Sequence, residues 1–148
     1  MKKGAQKNNT KKRGTNMAKS MTKKEIEDLL HRAQIGHLGT SDSLQPYVLP
    51  VHFLLGTDDC IYFHCGLKGR KLEILKSNPK VCFQVDDFKG VISSENFCKF
   101  STSYESVIID GEAEIIQDLG IKTAFLIELV KKYSEAKEVS SLPYESVL

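Results

Sequence analysis

Short segments in which apolar and polar residues alternate dominate the chain between residues 35 and 116. A period of two places the apolar side chains on one face of an extended strand, so these segments predict β-strands. Residues rich in Gly, Asp, Ser and Asn separate the segments and are typical of turns. The predicted strands are 35–40, 47–55, 60–65, 80–86 and 100–116, with a loop at 87–97 and a kink at Gly111.

Three further segments carry helical spacing. Thr22 and Glu25 form a capping box, in which side chain and backbone satisfy each other, and a helix over 23–33 follows. A helical turn is predicted over 70–76 and the strongest helix over 121–133. The apolar face of that last helix is predicted to consist of Ile121, Ala124, Phe125, Leu129 and Val130.

Strands at hairpin spacing, few helices and no alternation of strand with helix indicate an antiparallel barrel or sandwich. Pro50 lies inside the second predicted strand. Proline lacks the N–H that a central strand donates to its neighbours, so this strand is expected at a sheet edge or at a bulge. The pattern thus predicts a mainly β architecture but no chemistry.

The composition fits one globular domain. The chain has 148 residues, of which 41% are hydrophobic and 27% charged. It contains no apolar run of the roughly 18–20 residues that a membrane-spanning helix needs. The basic N-terminus is not followed by the apolar segment of a secretory signal, so we expect a cytoplasmic protein.

Charge divides the chain into two parts. Residues 1–24 hold nine of the 21 Lys and Arg residues and no acidic residue, so the remainder has 12 basic against 19 acidic residues. We therefore predict a disordered basic leader over 1–21 and a folded domain over 22–148. A nucleic-acid-binding module driven by the leader is the alternative reading, but no nucleic-acid partner is expected.

The strongest local candidate for a ligand site is the turn from Gly66 to Lys71. Lys68, Arg70 and Lys71 place three cations beside two glycines, just before a predicted helical turn. Backbone N–H groups at a helix start and cationic side chains together suit a phosphate. A basic turn on a surface is also commonly only solvated, and this feature alone leaves both readings open.

Two other segments are candidates for ligand contacts. The strand around Pro50, with His64 on the next strand, would offer a flat apolar wall and unpaired backbone groups to a planar ligand. Tyr104 and Ser106, at the start of the last strand, would hydrogen-bond a ligand or cap the strand. A metal site built from histidines is disfavoured because no H-x-H or H-x-x-x-H pair occurs. Neither a hydrolase elbow nor a nucleotide-binding glycine motif is present.

Taken in order, these segments resemble the FMN-binding split-barrel family. The similarity is closest to the nitroimidazole-resistance-like (NimA-like) branch of the pyridoxamine 5′-phosphate oxidase superfamily. It covers about residues 24–133. The motifs that carry it are I-G-H-L-G-T, Y-V-L-P-V-H-F, I-Y-F-H-C-G-L-K-G-R-K-L-E-I-L, N-P-K-V-C-F-Q-V-D and Y-E-S-V-I-I-D-G-E-A-E-I.

The resemblance implies a mainly β fold, a split antiparallel Greek-key barrel of about six strands with a few short helices. It also implies a homodimer with FMN at the interface and no metal. By position, it places Pro50, Val51, His52 and Phe53 beside the flavin ring, and His64 and Cys65 along the ribityl-phosphate side. The phosphate would be held by Lys68, Gly69, Arg70 and Lys71, with Tyr104 and Ser106 near the flavin. The final strand and terminal basic motif of the family are missing after Ser134, so vitamin B6 oxidation is not expected.

The resemblance implies a flavin-dependent oxidoreductase that reduces a small oxidised molecule, such as a nitroaromatic. His64 is the candidate proton donor, because an imidazole exchanges protons near neutral pH. A non-catalytic flavin-binding or stress-related module is one alternative, and a split barrel that binds haem or a deazaflavin is another.

Overall fold

The strands of this chain assemble into two antiparallel sheets. The computed structural model describes residues 2–4, 19–42 and 45–134. The described strands are β1 (Lys2–Gly4), β2 (Gly36–Ser41), β3 (Pro46–Val51), β4 (Phe53–Leu55), β5 (Ile61–Phe63), β6 (Lys80–Ile92) and β7 (Ser101–Glu112). The helices are α1 (Lys23–Arg32), α2 (Arg70–Ser77) and α3 (Leu119–Tyr133), with a 3₁₀ turn at Phe97–Lys99.

The larger sheet has the strand order β1-β7-β6-β2-β3, and the smaller sheet pairs β4 with β5. Each of these neighbouring pairs is antiparallel. Only His52 separates β3 from β4, so the chain passes from one sheet to the other at a single residue. The fold is the split antiparallel barrel that the sequence predicted.

The core lies between the two sheets and α1. Val81, Phe83 and Val85 alternate along β6 and are buried, as the period-two pattern predicted. The ring of Phe83 meets that of Phe53 edge to face, with centroids 4.9 Å apart. These two rings join the larger sheet to the smaller one, because Phe53 begins β4.

Helix α1 closes one side of this core. Its capping box is present: the amide of Thr22 donates to Glu25, and the amide of Glu25 donates to the Thr22 hydroxyl. Leu29 and Leu30 are buried against the barrel. At the other end, Arg32 forms ion pairs with Asp87 and Glu105, which fasten the helix to the β6–β7 hairpin. The predicted start of this helix is confirmed, and it ends at Arg32, one residue before the predicted end.

Several predicted strand boundaries were wrong. Strand β6 continues to Ile92, so residues 87–92 are not loop. They pair with Ser101–Glu105 of β7 across a register shift between Phe88 and Gly90, where Gly90 has a φ of 136°. The bulge breaks the alternation, which hides this part of the strand from a period-two search.

The predicted strand over 47–55 and the predicted end of the last strand were also wrong. The predicted strand 47–55 is two strands, because β3 pairs with β2 and β4 pairs with β5. Strand β7 ends at Glu112 rather than near 116, and Gly111 pairs regularly with Val81. Pro50 does lie on an edge strand, since β3 is the last strand of its sheet.

Lys2–Gly4 pairs with β7, in register with Asp110–Glu112. Those three residues lie in the segment predicted as a disordered leader. Residues 5–18 and 135–148 lie outside the described residues, so the prediction for most of the leader stays a prediction. Within the described ranges, no helix combines the length and the apolar character needed to cross a membrane.

A methyl group at position 36 would have no room in this barrel. A Cβ on Gly36 would lie 2.2 Å from Cζ and 2.4 Å from Cε2 of Phe83, a ring that is fully buried. We expect Gly36→Ala to lower the free energy of unfolding by about 1–3 kcal/mol, the usual cost of overpacking a core. Urea unfolding measures this, with Gly66→Ala as control, since a Cβ there meets nothing nearer than 3.9 Å. Equal stability of the two variants would contradict the packing described for Phe83.

Candidate functional site

The turn between β5 and α2 presents an open helix start. Gly69 is the N-cap residue of α2, with a φ of 129°, and within the described residues no side chain caps this end. The amides of Leu72 and Glu73 reach the carbonyl of Gly69, at 3.0 and 3.3 Å. The earlier amides of the first turn have no partner inside the helix and point out of its end. A Cβ built on Gly69 meets nothing within 4 Å, so the space in front of this helix end is open.

The cations of this turn rest on aromatic rings of the barrel. The guanidinium of Arg70 lies 4.7 Å from the ring centroid of Tyr47, and the Lys71 ammonium lies 5.6 Å from that of Phe63. Tyr47 is on β3 and Phe63 on β5. The structure therefore brings the predicted phosphate segment, residues 68–71, against the strand predicted beside the flavin ring and the strand that leads to His64.

The strand predicted beside the ring splits into exposed and buried positions. Pro50 and His52 are exposed, whereas Val51 is 6% exposed and Phe53 is fully buried. A ligand on this strand would therefore meet the side chains of Pro50 and His52, while Val51 and Phe53 support the strand from the core.

His64 and Cys65 follow β5 and lead directly into the phosphate segment. His64 is exposed, and Cys65 is half-buried with a free thiol. The described ranges contain no group of three or more His, Cys, Asp or Glu side chains placed to hold a metal ion.

Tyr104 and Ser106 lie elsewhere on the molecule. They pair with Phe88 and Asp86, and they project from the face of the β6–β7 hairpin opposite the core. In the sheet, β7 is three strands away from β3, the strand of Pro50. At about 4.8 Å between neighbouring strands, this separation is about 14 Å. A single chain does not bring these two residues to the phosphate segment.

The end of α3 contributes two residues that the sequence analysis missed. The amide of Phe53 donates to the hydroxyl of Tyr133 (3.0 Å), and that hydroxyl lies 3.2 Å from the carbonyl oxygen of Phe53. The ammonium of Lys132 donates to the same carbonyl at 3.1 Å. Burial lowers the pKa of Lys132 to about 8. Helical spacing predicted α3, but the sequence carried no signal for what its last turn would contact.

A cavity of about 370 Å³ lies on another part of the surface, between the end of α1 and the strands β2 and β6. Arg32, His37 and Asp87 are among its lining residues, and none of the predicted site residues reaches it. Arg32 is already paired with two carboxylates, and Lys89 together with Arg32 lowers the pKa of Asp87. The charges around this cavity largely neutralise one another.

The turn between β4 and β5 supplies a pH-dependent contact. The Tyr62 hydroxyl donates to Asp58 at 2.8 Å, which raises the pKa of Tyr62 to about 12. The ordinary pKa of tyrosine is about 10. The bond therefore stabilises the fold fully below pH 10 and is lost as the pH rises through 12. Burial also raises the pKa of Tyr133, so more than one tyrosine ionises late in an absorbance titration of the folded protein. We expect the step with a pKa of about 12 to be lost in Tyr62→Phe. The assignment is contradicted if the variant keeps as many late-ionising tyrosines as the wild type.

The fold and the open, cationic helix start define a split-barrel protein with a candidate anion site. Residues 22–146 match the family model described as pyridoxamine 5'-phosphate oxidase, and the chain belongs to that family. This membership confirms the resemblance found in the sequence. None of the curated proteins matches the chain by sequence.

Solved structures share the fold over most of the chain. A candidate 5-nitroimidazole antibiotic resistance protein from Bacteroides thetaiotaomicron VPI-5482 is 28% identical, with a TM-score of 0.70 over 85% of this chain and 74% of that one. The flavocytochrome Anf3 from Azotobacter vinelandii is 22% identical, with a TM-score of 0.74 over 85% of this chain. A FAD and heme binding protein from Mycobacterium smegmatis is 18% identical, with a TM-score of 0.76 over 86%. The chain spans 59% and 62% of the lengths of these last two proteins.

Proposed function

We propose that this chain binds FMN and is a flavin-dependent oxidoreductase that reduces a small oxidised molecule, such as a nitroaromatic. One observation carries the proposal: Arg70 and Lys71, at the open start of α2, lie against Tyr47 of β3 and Phe63 of β5. Membership of the pyridoxamine 5'-phosphate oxidase family supports a flavin as the ligand. The similarity in fold to a FAD and heme binding protein supports it as well. The proposal keeps the protein in the cytoplasm, as the sequence predicts.

The residues present fit a phosphomonoester joined to a planar ring. A phosphate dianion needs cations and N–H donors, which Lys68, Arg70, Lys71 and the first turn of α2 supply. Glu73 sets one negative charge against these three cations. The ring needs a flat wall, for which Pro50 and His52 are exposed on the neighbouring strand. When bound, FMN would supply the redox chemistry, and the protein would bind it, orient it and keep water from it.

The first test is the visible spectrum of freshly purified protein together with the mass of the released cofactor. The proposal predicts a flavin spectrum and the mass of FMN. A Soret band would identify haem instead, and the mass of a deazaflavin would identify that alternative. Reduction of the bound flavin by NADH or NADPH, followed with a panel of nitroaromatic and quinone acceptors, then tests the reaction. A flavin that binds but passes electrons to no acceptor would favour the non-catalytic module.

His64 is the proposed proton donor. Its imidazole is exposed and precedes the phosphate segment, so it would reach a ligand held at Lys71. General acid catalysis by a positioned side chain typically contributes about 10²–10⁴-fold. We expect His64→Ala to retain FMN and to lower turnover of the accepted substrate by at least about tenfold, measured under steady-state conditions. Turnover equal to that of the wild type would remove His64 from the mechanism.

The outer face of the β6–β7 hairpin supports the proposal of a homodimer. Its exposed apolar residues include Phe88 (62%), Tyr104 (59%) and Ile108 (63%). Exposed apolar patches of this kind are typical of interaction surfaces. Within one chain, the strand of Tyr104 and Ser106 lies three strands away from that of Pro50. We propose that these two residues contribute to the site only in the dimer, across the interface that this face forms.

Light scattering combined with size-exclusion chromatography tests this interface. We expect a dimer for the wild type and a monomer for Ile108→Glu, because a carboxylate would be buried without a partner. Ile121→Glu is the control, since Ile121 is similarly exposed (50%) but lies on α3. A monomeric wild type, or a dimer that survives Ile108→Glu but not Ile121→Glu, would overturn the assignment.

A further inference from the structure

The last turn of α3 contacts the backbone of Phe53 on the side of β4 that faces away from β5. Among the described residues, no strand pairs with β4 on that side. Phe53 pairs with Phe63 of β5, and its amide and carbonyl are both within hydrogen-bonding distance of Tyr133. The ammonium of Lys132 adds a second bond to the carbonyl and lies 4.1 Å from the centroid of the Phe53 ring. A buried peptide whose partners are removed loses about 1–3 kcal/mol, so these contacts matter for the local structure.

The same turn also sets the position of His52. The imidazole of His52 lies against the ring of Tyr133, with centroids 4.3 Å apart and planes inclined by 36°. His52 is the one residue between β3 and β4 and has no place in either sheet. The ladder hydrogen bonds that fix a strand residue therefore do not fix His52, and its contact with the Tyr133 ring limits where the imidazole can lie.

We propose that Lys132 and Tyr133 are positioning residues, which hold the Phe53 peptide and thereby orient His52 toward a bound flavin ring. This inference rests on the proposed function for its ligand. It assigns to α3 a role in the site, although neither residue touches the phosphate segment. The Lys132 ammonium is partly desolvated, and no carboxylate of the described residues forms an ion pair with it, so its bond to the Phe53 carbonyl is the contact that holds it there.

Three variants separate the contacts. Tyr133→Phe removes both hydroxyl bonds and keeps the ring against His52, whereas Lys132→Met removes the ammonium and keeps the length of the side chain. Tyr62→Phe is the matched control. It also removes a tyrosine hydroxyl, and its ring packs on α3 through Phe125 (5.9 Å), but that hydroxyl bonds to Asp58 and not to the Phe53 peptide.

Two measurements are made on each variant of the full chain. The first is hydrogen exchange of the Phe53 amide without any ligand, which reports the peptide contact alone. The second is an FMN titration with visible circular dichroism of the bound flavin, which reports how the ring is held. We expect Tyr133→Phe to speed Phe53 exchange at least about tenfold, to weaken FMN binding about tenfold and to change the flavin dichroism. Tyr62→Phe should leave all three unchanged.

Each outcome decides the inference. If Tyr133→Phe leaves Phe53 exchange at the wild-type rate, the contact does not hold the peptide and the inference fails. If exchange speeds up but FMN affinity and dichroism stay as in the wild type, the turn is structural only and the positioning role is overturned. If the wild type binds no FMN, the proposed function fails while exchange still decides the peptide contact. If Tyr133→Phe does not fold, Lys132→Met is judged by FMN affinity and flavin dichroism, because Lys132 contacts the Phe53 carbonyl and not its amide; wild-type values of both would overturn the inference.

Discussion

We expect the double variant Arg70→Ala/Lys71→Ala to weaken the proposed FMN binding by at least about 100-fold and to leave the barrel folded. Hydrogen bonds to charged groups contribute about 1.5–3 kcal/mol each, and 1.4 kcal/mol corresponds to a tenfold change in affinity. Both side chains project from the start of α2 and rest on the rings of Tyr47 and Phe63, outside the buried core. Quenching of FMN fluorescence measures the affinity, and far-ultraviolet circular dichroism checks the fold.

The same helix offers a matched control. Lys76 is exposed and lies in the last turn of α2, at the end opposite the proposed phosphate. Lys76→Ala removes a cation from the same helix and should change the affinity less than about twofold. If Lys76→Ala and the double variant weaken FMN binding equally, only the net charge matters, and the helix start is not the phosphate site.

Phe83→Ala produces the largest expected loss of stability, about 3–5 kcal/mol. Phe83 is fully buried in the middle of β6, packs edge to face on Phe53 and fills the space beside Gly36. Its removal would leave a cavity at the junction of the two sheets. Total stabilities of small proteins are about 5–15 kcal/mol, so this one change would remove a large part of the total. Urea unfolding measures the loss.

Phe97→Ala is the control for this prediction. Phe97 has the same side chain but is 90% exposed on the 3₁₀ turn, and its removal should change stability by less than about 0.5 kcal/mol. A loss below about 1 kcal/mol for Phe83→Ala would mean that the two sheets do not share the core described above.

Much of the fold was predictable because local pattern and tertiary environment agree. The alternation of Val81, Phe83 and Val85 follows the burial of β6, and the Thr22 capping box marks the start of α1. The predicted phosphate segment also rests on local features. Its glycines and cations have a chemical meaning that does not depend on distant residues.

The rest could not be read from the sequence because it depends on pairing between distant segments. The strand over 47–55 looks continuous, and it breaks at His52 since β3 and β4 have different partners. The bulge near Gly90 hid the end of β6 in the same way. The contact between Tyr133 and Phe53 joins residues 80 positions apart, and no local periodicity reports it.

The candidate site likewise has one part that local sequence features predict and another that depends on pairing between distant segments. Lys71 and its neighbours lie together because the chain connects them, and the rings of Tyr47 and Phe63 beneath them were not anticipated. Tyr104 and Ser106 entered by resemblance, and their place on the outer face of the hairpin depends on the strand order. Their part in the site remains a prediction that the dimer experiment addresses.

We propose that the phosphate segment, residues 68–71, binds the phosphate of a flavin whose ring lies along the neighbouring strand. Isothermal titration of the wild-type chain, freed of any cofactor, with FMN and with riboflavin tests it most directly, because the two ligands differ only in the phosphate. We predict one FMN per chain and a riboflavin affinity at least about 100-fold weaker. Equal affinity for the two ligands, or no binding of FMN by the folded protein, would contradict the claim.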